Sequence, residues 1–223
     1  MPRPADPTAR DSLVAAARAE FAKKGLVGAR IEDITAACGL SKGAFYLHFE
    51  SKEALFEGLV QAFFGEIGTC TESRQARMAE LFDQFGPPTR QDAAEQTPRY
   101  RRFLEIETAE DLRVLELMWD YRDVLGVLLR GAQGTKFEGA IWEMTDREVE
   151  RIKENVDRFQ GQHACRDDIP PEIFGSMIVG TYMLLAMRMV RMSHKPDLGE
   201  WARSLHLLIR EGSAPHELHR SKK

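Results

Sequence analysis

Apolar residues recur along the chain at steps of three and four, the period of an amphipathic helix, and no stretch shows the two-residue alternation of a half-buried strand. Leu13, Ala17 and Phe21 are spaced by four with Val14 beside them. Thr8 followed by Asp11 resembles a capping box ahead of that run, and Gly25 is its stop. Ile31, Ile34 and Cys38 predict a second, short helix with Gly39 as its left-handed terminator. Ser41 is placed to cap a third helix running to about His48. Ser51 is placed to cap a fourth, with Glu53 and Glu57 in the early turns that the helix dipole favours for acids and a buried face of Leu55, Leu59, Ala62 and Phe63.

Gly86-Pro87-Pro88 and the polar residues up to Pro98 predict a loop with a short helical turn around Gln91 to Glu95. Helical periodicity resumes from about Phe103 to Arg130, through Leu112, Leu115, Trp119 and Leu125, and Gly131 and Gly134 interrupt it. Val149, Ile152, Val156 and Phe159 mark a further helix ending near Gly161. Two more follow over about 171–192 and 196–211. In the last, Leu198, Trp201, Ala202, Leu205, Leu208 and Ile209 share one face. The expected fold class is all-α: a three-helix head at 1–52, a larger helical body at 53–212 and a disordered polar tail at 213–223.

With 43% hydrophobic and 30% charged residues, the chain can bury a core and stay in solution, which argues against intrinsic disorder. Charge is unevenly divided. Residues 1–52 hold eight Lys and Arg against six Asp and Glu, a net +2, while the remainder carries -6 of the overall -4. That division suits a protein touching a polyanion with one end. Cys38, Cys70 and Cys165 are too few and too dispersed for a disulfide framework, so a reducing, cytoplasmic setting is expected. The first eight residues contain no apolar core, and no secretory signal is expected. The longest apolar run, 15 residues from Ile173 to Met187, falls short of the about 20 that span a bilayer.

The informative segment runs from Arg30 to Lys52. It reads as helix, glycine turn and capped helix, the helix-turn-helix arrangement. Gly39 supplies a positive φ at the turn. Ile34, Cys38 and Leu40 form the inner face, closed by Phe45 and Phe49. Lys42, Gly43, Ala44, Tyr46, Leu47 and His48 are left for the outer face of the third helix. Lysine can reach a guanine edge or a phosphate, the small residues permit close approach to bases, and Tyr46 and His48 offer donors to phosphate. Lys52 would meet the DNA backbone at the start of the next helix.

On these residues the chain resembles the TetR family of bacterial transcription regulators. Gly39-Leu-Ser-Lys-Gly-Ala-Phe-Tyr-Leu-His-Phe-Glu-Ser-Lys-Glu-Ala-Leu55 is similar to that family's signature, and Phe21, Lys24 and Gly25 match the end of its first helix. The resemblance implies a homodimer on a palindromic operator of double-stranded DNA, usually a repressor, released or altered by a small ligand in the body. It also implies a bundle of the last two long helices, near 171–192 and 196–211, with their copies in the partner. The fourth helix, joining head and body, would be the lever. Two positions depart from the pattern. Arg30 stands where Thr or Ser usually caps the second helix, and could itself contact DNA. Thr35 stands where a small Ala is typical.

In the body, Met177, Met183, Met187, Met189 and Met192 lie near Gly175, Ser176 and Gly180, a set suited to close helix packing and read as interface or core ahead of pocket lining. Trp119, Tyr121, Trp142 and Tyr182 combine an aromatic body with a polar tip and are the candidate ligand contacts, with plain core positions as the other reading. Arg122 would pair with an acidic ligand or, more simply, with Glu116 or a nearby acid. Arg99, Arg101 and Arg102 read as a solvated helix face.

Enzyme chemistry finds no support. Gly131-Ala-Gln-Gly-Thr-Lys136 has the wrong order for a phosphate loop and no preceding strand. His216 and His219 lack metalloprotease spacing, and His163, Cys165 and Asp167 make a weak metal set. No nucleophile with a base and an orienting group is visible, so no catalysis, cofactor or metal is expected. Two alternatives stay open: a DNA-bound protein controlled by a protein partner, and a ligand-binding module whose head has lost DNA affinity.

Overall fold

Short polar caps define the head. In the computed structural model, which describes residues 7–161 and 166–213, α1 (Pro7–Gly28) begins one residue ahead of Thr8 and is broken at Gly25, where φ is 70° and ψ 171°. That left-handed conformation is the stop expected of a glycine. α2 (Ile31–Ala37) follows, and Gly39 turns the chain at φ 68°. α3 (Lys42–His48) starts where the Ser41 hydroxyl accepts the Ala44 amide at 3.1 Å. Ser51 accepts the Ala54 amide at 3.0 Å at the start of α4 (Lys52–Phe85), a continuous helix of 34 residues. Leu13, Ala17, Phe21, Ile34 and Phe45 are buried as expected. Leu59, expected on the buried face of α4, is half-buried; the buried positions of that helix are Leu55, Phe56, Val60 and Phe63 and, further along, Met78 and Leu81. Ala62, expected among them, is exposed because it lies about 100° from Phe63 around the helix.

The remaining elements are α5 (Arg90–Glu95), α6 (Pro98–Asp120), α7 (Arg122–Arg130), α8 (Ala140–Gly161), α9 (Pro171–Met189) and α10 (Leu198–Ser213). No strand occurs among the described residues, and no described helix is long and apolar enough to cross a membrane. The single helical run expected from Phe103 to Arg130 is divided at Tyr121, whose ψ of 16° departs from the helix. On α10, Leu198, Ala202 and Leu205 are buried, whereas Leu208 is 69% exposed and does not share their face. The tail expectation, His163, Cys165, His216 and His219 lie outside the described residues, apart from Ser213 at the end of α10.

The chain divides into two compact units. The first comprises the chain up to Ile67 with Leu117–Glu143 and Ala186–Ser193. The second holds Gly68–Glu116, Met144–Leu185 and the chain from His194. In the first, the head packs on α7 and the turn after it. Gly25 and Gly131 meet backbone to backbone: the Leu26 amide donates to the Gly131 carbonyl at 3.2 Å, and a Cβ on Gly131 would stand 3.0 Å from the Gly25 Cα. Arg18 grips both oxygens of Asp123 at 2.6 and 2.7 Å and also donates to the Asp120 carbonyl. Phe56 meets Phe137 edge-on at 5.1 Å.

In the second unit, Gly175 of α9 lies against α8 so closely that a Cβ would fall 2.8 Å from the Val149 carbonyl oxygen. Gly180, expected to serve the same purpose, has nothing within 4 Å of its would-be Cβ. Gly175→Ala therefore forces the two helices apart and is expected to cost about 1–3 kcal/mol. Gly58→Ala, at an open helical position, is expected to add up to about 1 kcal/mol. Urea midpoints of the two variants should move in opposite directions.

At the α5–α6 junction Asp92 accepts from the Thr89 amide at 2.8 Å, the Thr89 hydroxyl at 2.6 Å, the Thr97 hydroxyl at 2.8 Å and Arg99. These donors, Thr89 foremost, hold its carboxyl well below the usual range. A depressed carboxylate stabilises the fold above its ordinary pKa and loses that contribution as pH falls through the depressed value. Asp92→Asn should thus lower stability at neutral pH and flatten the acid limb, as read by denaturation between about pH 2 and pH 7.

A candidate nucleic-acid interface on the third helix

α3 is seven residues long, too short to stand alone, and two features hold it: the Ser41 cap and Phe45, fully buried against the head. With Phe45 turned inward, the opposite face is open. Tyr46 is 51% and Leu47 66% exposed, side by side, and Gly43 and Lys42 are exposed at the N-terminal end. A Cβ on Gly43 would meet only the Ser41 hydroxyl at 3.7 Å, so its packing does not demand glycine. Ala44 is half-buried. His48 is half-buried beside Phe49, with ring centres 6.3 Å apart, and Arg10 stands over Phe49 at 5.3 Å.

The charges around this face are partly spoken for. Lys42 Nζ donates to Glu32 at 2.6 Å, which raises the lysine pKa and lowers that of the glutamate, so both stay ionised. Arg30 sits exposed at the N-cap of α2 and makes no side-chain cap bond. Thr35 is buried, and its hydroxyl donates to the Glu32 carbonyl at 3.1 Å, which satisfies the polar atom its position introduces. The Lys52 ammonium is turned into the head, donating to the carbonyls of Val27 at 3.0 Å and Ala29 at 2.8 Å. Lys52 thereby fixes the end of α1 beside the start of α4.

The expected ligand contacts are divided between the two units. Trp119, Tyr121, Arg122 and Trp142 belong to the first unit and Tyr182 to the second. Trp119 is buried with the Arg122 guanidinium 4.2 Å above its ring, and Arg122 donates to the Trp119 carbonyl at 2.8 Å. Within the second unit Glu116 binds Lys195. Tyr121 donates to Glu66 at 2.7 Å, and burial followed by that acid pushes its phenol up to about 12. Trp142 is 71% exposed, because the buried stripe of α8 runs through Ile141 and Thr145.

Tyr182 is the exception. Its hydroxyl donates to Asp111 at 2.7 Å in a cavity of about 120 Å³ whose polar side is Arg74, Glu107, Asp111, Tyr182 and His206. Arg74 donates to Asp111 at 2.6 Å and to Glu107 at 3.4 Å. Burial pushes the Glu107 carboxyl up and the His206 imidazole down. Sequence reasoning missed these four partners of Tyr182. The signal was present on α6, where the apolar stripe through Phe103, Ile106, Val114 and Met118 is filled in its middle turns by Glu107, Glu110 and Asp111. Among the described residues no group of His, Cys, Asp and Glu is placed to hold a metal ion.

Residues 13–59 match the profile of the bacterial regulatory proteins of the tetR family. The chain is 53% identical over 45 residues to YerO, an HTH-type transcriptional regulator of Bacillus subtilis (strain 168), covering 20% of this chain and 16% of that one. It is 38% identical over 81 residues to DhaR, an HTH-type transcriptional repressor of Mycobacterium sp. (strain GP1), covering 36% and 38%. The matches thus span well under half of these relatives. Among solved structures, NalD, the secondary repressor of the MexAB-OprM multidrug efflux pump in Pseudomonas aeruginosa, superposes with a TM-score of 0.60 at 17% identity, covering 93% of this chain and 96% of that one. That likeness extends the shared fold through the body.

Proposed function

We propose, from the match of residues 13–59 to the tetR family of bacterial regulatory proteins, that the chain is a sequence-specific, ligand-responsive transcription regulator, acting in the cytoplasm as a homodimeric repressor on a palindromic operator. The observation that carries this reading is the outer face of α3, where Tyr46 and Leu47 stay exposed on a capped helix whose anchor, Phe45, has no exposure at all. An exposed face on a capped, anchored short helix is what a major-groove reader presents. Lys42 and Arg30 flank it with positive charge, and Lys42 would exchange Glu32 for a phosphate or a base edge on binding. Gly43 and Ala44 permit close approach, His48 supplies a donor at the far end, and Lys52 acts by positioning.

Exposed apolar residues on α9 and α10 support the homodimer. Ile173, Met177 and Leu184, at 54%, 45% and 63% exposure, recur at helical spacing on α9, and Leu207 and Leu208 are 58% and 69% exposed on α10. A second copy covering these positions would make the dimer, and reading two successive major grooves requires its two reading helices to stand one DNA turn, about 34 Å, apart. Ligand response belongs to the body, with Tyr182 the one candidate that lines the cavity of the second unit. Conformations that differ in ligand affinity and in reading-helix spacing would couple the two events.

Footprinting of the purified chain on DNA flanking its own coding region tests the reading. The expected result is a two-fold symmetric protected site whose affinity falls steeply with salt, by close to one logarithmic unit per phosphate contact per tenfold salt (slope about −0.9). Protection absent at low salt from a dimeric protein would leave the binding-module alternative in its place.

A further inference from the structure

The cavity of the second unit has an uneven charge ledger. Successive turns of α6 present Glu107, Glu110 and Asp111, and three guanidinium groups face them. Arg77 reaches Glu110 at 2.6 Å and Arg113 reaches it at 3.4 Å, while Arg74 reaches Asp111 at 2.6 Å. Glu107 receives the longer, 3.4 Å approach of Arg74, whose short bond is committed to Asp111, and the more distant charge of Arg151. Glu107 lines the cavity and keeps 20% of its side chain accessible. The Tyr182 hydroxyl is spent on Asp111. His206 lines the same cavity, and its Nε2 is buried with no hydrogen-bond partner. Phe103, Ile178 and Ile209 complete the lining with apolar surface.

A carboxylate short of a counter-charge, an unpartnered imidazole nitrogen and an aromatic wall are the complement of a cation that carries N–H donors. We infer that this cavity binds a small organic ammonium whose charged nitrogen sits on Glu107 and whose apolar body, no larger than about one ring, packs on Phe103, Ile178 and Ile209. The size limit follows from the volume: an enclosed cavity of about 150 Å³ holds benzene, and this one, about 120 Å³ and partly open to solvent, can seat at most one ring. An anion would have to take Arg74 from Asp111 in the presence of three acids, and a neutral body would leave Glu107 as it is. The elevated Glu107 and depressed His206 pKa values agree with this assignment, since burial disfavours the charged form of each side chain. As a ligand class, the inference rests on the ligand-responsive part of the regulator reading.

Calorimetry of the full-length protein without DNA, using benzylammonium, benzyl alcohol and benzoate, tests it. Benzylammonium is expected to bind at least about tenfold more tightly than benzyl alcohol, the usual scale of a charge-assisted hydrogen bond. Benzoate should not bind. Glu107→Gln should lose that advantage while leaving benzyl alcohol unchanged, and Glu107→Asp should keep it. The charged and titratable groups around Glu107 are Arg74, Glu110, Asp111, Arg151, Tyr182 and His206. Since the ammonium needs Glu107 ionised, its affinity should rise with pH through the elevated carboxyl pKa. Benzyl alcohol or benzoate matching benzylammonium, no binding of any probe, or an unchanged preference in Glu107→Gln would each overturn the assignment. Footprinting without added cation reads the regulator function separately, so either reading can fail while the other stands.

Discussion

Replacing Arg74 with leucine is expected to destabilise the protein by about 3 kcal/mol or more, the scale for removing one member of a buried ion pair. Its guanidinium supplies the short bond to Asp111, which is only 4% exposed, and it is the cation nearest Glu107. Burial already pushes the Glu107 carboxyl up, and Arg74 is the largest influence opposing it. Without Arg74 that carboxyl climbs further. A raised carboxyl pKa means the folded state holds its proton more tightly, so the deficit of the variant should shrink as pH falls through that value and widen above it. Denaturant unfolding of both proteins across the acid range reads the slope directly. Replacing Asp111 with leucine and Tyr182 with phenylalanine in the same chain removes the stranded acid and the hydroxyl that bonds it. Most of the lost stability should return, because the loss comes from an uncompensated charge. A deficit independent of pH would point instead to lost packing of the arginine stem.

The second large effect is on DNA. Tyr46→Ala is expected to weaken operator binding by about tenfold to a hundredfold, the range for losing one good base or phosphate contact. The thermal midpoint should barely move. Tyr46 is half exposed, and its intramolecular ring contact is an edge-on approach to Phe45 at 5.6 Å, while Phe45 carries the packing. Phe45→Ala makes the contrast. It should cost about 3–5 kcal/mol of head stability and lose DNA binding through unfolding, visible as lost helical signal. Titration of Tyr46→Ala against operator and unrelated DNA separates the kinds of contact. A base contact narrows the gap between the two, whereas a phosphate contact weakens both alike. Unchanged affinity for both would remove α3 from the interface.

The head was legible because its determinants are local. Ser41 and Ser51 sit where they bond the amides three residues on, Gly39 takes the positive φ of the turn, and the four-residue spacing of Leu13, Ala17 and Phe21 marks the buried face. Each of these choices is made within one or two helical turns, which is the range over which a linear pattern carries information. The outer face of α3 followed by subtraction, once Phe45 was assigned inward.

The body was legible only as helices. Periodicity marked their apolar stripes, but which stripe meets which neighbour is a long-range matter. Leu208 was grouped with Leu205 and proved exposed, and Trp142 was expected inside and lies outside. Lys52, assigned to DNA by its place in the motif, turns inward to two carbonyls more than twenty residues earlier in the chain. Thus the order of the helices in the head, the Ser41 and Ser51 caps and the open outer face of α3 were determined by the sequence itself, since nearest-neighbour hydrogen bonds and helical spacing suffice for them. Only the tertiary structure decided that Gly25 would meet Gly131, that Arg74 would give its short bond to Asp111 and its longer one to Glu107, and that Tyr182 would border a cavity. Those outcomes depend on distances between residues far apart in the chain, and a charge or a glycine acquires its energetic meaning only from what folding places against it.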